Sequence, residues 1–123
     1  MAFKTGYLYF INPCQASVPP KPKLAVCMSA THSLFYLINS CDKVRPYQHE
    51  KGHIVILEQH LLVALVHDSY INVAKPRIIE SGEYSHSTER EKIPNNVLLK
   101  IKKQALSDRK LQSIYKNIIN NPD

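Results

Sequence analysis

Apolar positions fall into short runs through most of the chain and into a helical period near its end. Residues 6–11 are aromatic and aliphatic, opened by Gly6 and closed by Asn12-Pro13, which predicts a strand. Residues 12–23 hold four prolines. Proline gives no N–H to a ladder, so an extended loop is expected there. Residues 24–29 form a continuous apolar run ending at Ser29, the pattern of a strand buried on both faces. A turn at 30–33 and a strand at 34–39 complete a hairpin. Residues 40–52 are polar, punctuated by Pro46 and Gly52, and predict a loop; 53–58 predict a strand. The run 61–66 fits either a strand or a buried helical turn, and its shortness favours the strand. Over 68–74, Tyr70, Asn72 and Ala74 share one side while Ser69, Ile71 and Val73 share the other, as in a strand. Pro76 breaks it, and 77–79 resume as a short edge strand. Residues 81–92 are small and charged, a surface loop.

From Pro94 the period changes. Asn95 or Asn96 as cap, or Pro94 as first helical residue, starts a helix with Val97, Leu98, Ile101 and Ala105 on one face. Lys100, Lys102 and Lys103 lie largely opposite. Ser107 or Asp108 caps a second helix whose Leu111, Ile114, Tyr115, Ile118 and Ile119 follow the amphipathic spacing. Short strands followed by helices give an α+β chain, mainly β. The expected architecture is a small SH3-like barrel over about residues 5–80, a charged loop at 81–92 and two C-terminal helices within 94–120. One domain is expected over all 123 residues.

Composition narrows the function classes. The three cysteines, Cys14, Cys27 and Cys41, are odd in number and form no CxxC pair, so free thiols in a reducing cytoplasm are expected. The longest apolar run is far below the roughly 20 residues of a membrane span, and no export leader is visible; no membrane association is expected. The net charge of +6 is concentrated: residues 92–123 hold seven Lys/Arg against two Asp/Glu, while residues 1–91 hold nine against eight. Such a tail either favours polyanions or is the solvated face of an amphipathic segment. His49 and His53 have helical ligand spacing, but Gly52 lies between them in a loop-like stretch. His53, His60 and His67 recur every seven residues, which in strands alternates faces. No metal site and no cofactor are expected, and there is no Walker, GxGxxG, GxSxG or HExxH motif.

The order of segments resembles the PemK/MazF family of toxins from toxin–antitoxin systems. Gly6-Tyr-Leu-Tyr-Phe-Ile-Asn-Pro13 is similar to its opening strand, and Lys21-Pro-Lys-Leu-Ala-Val-Cys-Met-Ser29 to its Arg-Pro element and the buried strand that follows. Leu37-Ile-Asn-Ser40 sits where the family has an apolar pair before Thr or Ser. Asp68-Ser-Tyr-Ile-Asn-Val-Ala-Lys-Pro-Arg77 is similar to its later strand ending in Gln-Pro-Arg, and Ile93-Pro-Asn-Asn-Val-Leu-Leu-Lys-Ile101 to its closing helix. The resemblance implies an SH3-like barrel that cuts single-stranded RNA without metal, works as a homodimer in the cytoplasm and is held by an antitoxin protein. Departures from the pattern are specific. Lys21 replaces an Arg, losing the planar fork that grips phosphate. Asn39 takes the strict position of the hydroxyl, with Ser40 one residue on. Asn72 and Ala74 stand where the PemK branch has its acid and base; Arg77 is retained.

Metal-free RNA cleavage needs a base for the 2′-hydroxyl, an acid for the leaving 5′-oxygen and cations around the developing charge. The expected catalytic set is Lys21, Ser40, His67 and Arg77, with His67 beside Asp68 as the group that titrates near neutrality. Lys23, Asn39, Asn72 and Lys75 are the expected RNA-binding residues. A barrel of this kind without catalysis, binding RNA or a protein, is the competing expectation, because Asn72 and Ala74 cannot transfer protons.

Overall fold

The structure is a computed structural model that describes residues 3–14, 21–40, 53–58, 62, 65, 68–79 and 87–123. Its elements are β1 (Tyr7–Cys14), β2 (Lys21–Ser29), β3 (Leu34–Leu37), β4 (Asn39–Ser40), β5 (Ile54–Leu57), β6 (Ser69–Asn72), β7 (Arg77–Ile78), β8 (Ser87–Lys92), α1 (Asn95–Ser107) and α2 (Ser113–Asn120). One antiparallel sheet has the order β7-β3-β2-β1-β8 and a smaller one the order β4-β6-β5. The expected mainly-β architecture followed by two helices is what the chain forms.

Two-sided burial explains the unbroken apolar runs. Along β1, β2 and β3, Leu8, Val26, Met28, Leu34 and Tyr36 point into a core shared with β5, β6 and both helices. Their neighbours Tyr9, Ile11, Ala25, Cys27 and Phe35 point the other way, onto Phe3 and Ile79. A strand covered on both faces has no polar phase to show. On the second face, Phe3, Tyr9 and Phe35 meet edge to face at 4.6–6.2 Å between centroids. Burial there pushes the Cys27 thiol up to about 12, so it stays protonated at neutral pH.

Several boundaries differ from the sequence reading. The proline-rich stretch is partly ladder: β1 runs on to Cys14 and β2 begins at Lys21, with Cys14 opposite Lys21 and a register shift before it. Residues 87–92, expected as loop, form β8, which pairs with β1 from Tyr7↔Lys92 to Ile11↔Ser87. An edge strand tolerates charge on its exposed face, and that composition hides it from a hydrophobicity reading. Arg90 lies over the Phe10 ring at 5.1 Å, and Lys4 pairs with Glu89 at 3.3 Å. Leu62 and Leu65, from the run expected as a strand, are buried, and Leu65 N–H donates to Leu62 O (3.2 Å). The other residues of that run lie outside the described ones.

Both helix starts differ from the expected caps: α1 begins at Asn95 itself, ahead of where an Asn95 or Asn96 cap would start it, and α2 begins at Ser113, later than a cap at Ser107 or Asp108 would allow. Pro94 immediately precedes α1, its carbonyl accepting the N–H groups of Val97 and Leu98, both at 3.0 Å. Asp108 follows the end of α1 and does not begin the next helix: its Oδ1 accepts from Lys110 N (2.8 Å) and Leu111 N (3.0 Å), bridging to α2. Leu111 is therefore buried in a turn. The phase of α2 is set afresh from Ser113, which leaves Ile114 62% exposed, against the expected stripe. Among the described residues no helix is long and apolar enough to cross a membrane.

Candidate functional site

Strand β3 leaves the large sheet where Ile38 N–H donates to Leu24 O (2.9 Å), and the chain enters the small sheet as β4, with Asn39 opposite Tyr70 and Ser40 opposite Ser69. Strand β6 makes the reverse passage. It ends at Asn72, turns, and returns as β7, with Phe35 opposite Arg77. The two crossings face each other and leave a cleft of about 190 Å³ lined by Leu37, Asn39, Asn72, Lys75 and Arg77.

Each lining side chain has a local reason for its position. Asn72 Oδ1 accepts the Ala74 N–H (2.9 Å) and its carbonyl accepts the Lys75 N–H (3.1 Å), a turn that asparagine forms with its own side chain. The next residue is fixed from both ends. Val73 N–H donates to His53 O (2.7 Å), and Val73 O accepts the hydroxyl of fully buried Tyr36 (2.7 Å). Burial raises the Tyr36 phenol, keeping it a donor. On the opposite wall, Lys23 Nζ donates to Asn39 Oδ1 (3.1 Å) and to Ile38 O (3.4 Å), tying β2 to the crossing. Arg77 is exposed, with Nη1 on the carbonyl of Pro76 (3.3 Å).

Of the eight residues expected from the sequence, Asn39, Asn72, Lys75 and Arg77 therefore line one cleft, and Lys23 holds its rim. Lys21 opens β2 two residues before Lys23, and Ser40 follows Asn39 in β4; for both, only the backbone is described. His67 lies outside the described residues. Leu37 was not singled out from the sequence. Its signal was the alternation of β3, which places it on the side of Phe35, beside the incoming Arg77.

Among the described residues the lining carries two cations and no carboxylate. A unit negative charge about 4 Å from one of them gains about 1 kcal/mol in bulk water and about 4 kcal/mol at the effective dielectric of a protein surface. The arrangement suits an anion with several oxygens. His53 takes no part in it: its Nδ1–H donates to buried Asp108 Oδ2 (2.5 Å), pinning β5 to the junction of the helices.

No family model and no curated protein matches the sequence. Among solved structures, the chain is similar to the crystal structure of MazE-MazF (Form-II) from Deinococcus radiodurans, with a TM-score of 0.52. The match covers 87% of this chain and 94% of that one. The chain has a MazF-like fold. The resemblance read from segment order is thus borne out at the level of fold. At 18% identity it extends no further, and the roles of side chains in this MazF-like barrel rest on the geometry of the cleft.

Proposed function

We propose that this chain is a toxin-type endoribonuclease that cuts single-stranded RNA without a metal, with the cleft as the seat of the scissile phosphate. One observation carries the reading: two cations and two amides, brought by β4, β6, β7 and the turn between β6 and β7, converge in one cleft of a MazF-like fold. Cleavage here is attack of the 2′-oxygen on phosphorus with departure of the 5′-oxygen, giving a cyclic phosphate and a free 5′-hydroxyl. Arg77 and Lys75 offset the charge that builds on the non-bridging oxygens. Lys21 would add a further cation, Ser40 a hydroxyl, and His67 the group that exchanges protons. Two partners follow from the same reading: a second copy of the chain, and an antitoxin protein, as MazE accompanies MazF in the similar structure. The protein would act in the cytoplasm.

Purified protein incubated with an unstructured oligoribonucleotide in EDTA is expected to cut it, with Arg77→Ala and Lys21→Ala each slowing cleavage by about a hundredfold. RNA left intact after long incubation would reject the activity. A second reading, an RNA-binding barrel without catalysis, is favoured by the lack of a carboxylate or imidazole among the described lining residues. It requires that the oligoribonucleotide bind and survive, and that expression leave growth unchanged.

A further inference from the structure

Asn72 is only 7% exposed, yet its side chain is half used. A backbone N–H can donate only to the amide oxygen, so the bond from Ala74 N fixes the polarity of the group and turns Nδ2 the other way. Among the described residues no acceptor meets that Nδ2. A buried donor without an acceptor is costly and rare in native structures. Asn72 lines the cleft, where a ligand supplies what the protein does not.

Asn39 repeats the arrangement from the facing wall. An ammonium only donates, so the Lys23 contact has Asn39 Oδ1 as its acceptor and again leaves Nδ2 for the cleft. Both amides are thereby oriented as donors beside Lys75 and Arg77.

We infer that the cleft is a donor-only oxyanion seat in which the Nδ2 groups of Asn39 and Asn72 bind phosphate oxygens between Lys75 and Arg77, and that Lys23 is a positioning residue that keeps Asn39 donating. The identity of the phosphate carrier as RNA rests on the reading proposed above; the seat itself rests on the two fixed amides. Inorganic phosphate and a phosphodiester share this chemistry, and the test separates them.

The full chain, labelled with nitrogen-15, is titrated with inorganic phosphate and separately with an unstructured oligoribonucleotide while the asparagine side-chain amide signals are followed. Both ligands are expected to shift the signals of Asn39 and Asn72. Asn39→Asp, which keeps the shape and replaces the donor by an acceptor, is expected to weaken phosphate binding about tenfold or more. Asn72→Asp is expected to do the same; should a buried carboxylate prevent folding, Asn39→Asp at its half-buried position keeps the test intact. Lys23→Met is expected to weaken binding several-fold, Lys23→Arg to restore it, and Lys23→Met to lose most of its effect once Asn39 is alanine. An equal effect of Lys23→Met with and without the Asn39 amide would overturn the positioning role. RNA binding that leaves both amide signals unmoved would overturn the seat while sparing the RNA reading. Phosphate shifts without RNA shifts would keep the seat and discard RNA as its carrier.

Discussion

Gly6 holds φ at +85° where the chain enters β1, its N–H on Cys27 O (2.8 Å) and its carbonyl accepting from Ile93 N (2.9 Å). That conformation disfavours any side chain, and a Cβ here would meet Leu98 Cδ2 at 3.3 Å. Gly6→Ala is therefore expected to lower the free energy of unfolding by about 1–2 kcal/mol, read as an earlier urea midpoint. An unchanged midpoint would mean that the entry to β1 relaxes. The opening glycine was legible as a strand boundary; its second duty, sealing β1 to the start of the helical segment, needs a contact eighty-odd residues away in sequence and leaves no local mark. Asn39 and Asn72 divide in the same way. Their positions could be read from strand order, but the partners that fix their polarity, Lys23 and Ala74, emerge only when the strands are paired.

Asp108 joins three elements, accepting from His53 at the head of β5 and from the turn that separates α1 from α2. Burial pushes its carboxyl up, but the His53 imidazole and the two backbone N–H groups outweigh that and hold it below the usual carboxylate range. A depressed carboxyl stabilises the fold fully above its unfolded value of about 4, and that share is lost as pH falls through the lower folded value. Asp108→Asn is accordingly expected to cost about 1–3 kcal/mol at pH 7, with the gap to the parent protein closing in strong acid. Urea midpoints of both proteins from pH 7 to pH 2 check this; a gap of constant size would assign the loss to packing alone. Legibility at this scale follows burial. The runs in β1, β2 and β3 were readable because both faces are covered, and the edge position of β7 because Pro76 precedes it. Strand β8 was not, since its ladder to β1 is made by backbone while its side chains read as a solvated segment.

At the scale of the whole molecule, the proposed homodimer predicts a sedimentation coefficient near that of a 28 kDa particle at micromolar concentration, about twice the 14.1 kDa chain. A clean monomer at that concentration would remove the second copy from the proposal. The MazF-like topology was legible in the order of segments, whereas the cleft required knowing that β3 and β6 both change sheets at one place. That crossing has a consequence of its own. One continuous stretch, from Leu34 through Ser40, belongs to the large sheet at its start and the small sheet at its finish. Neither sheet can open while the other stays closed without tearing this shared strip, so amide hydrogens in both should trade with heavy water at a common slowest rate. The protein would then melt as a single cooperative body, its two sheets behaving as halves of one ribbon.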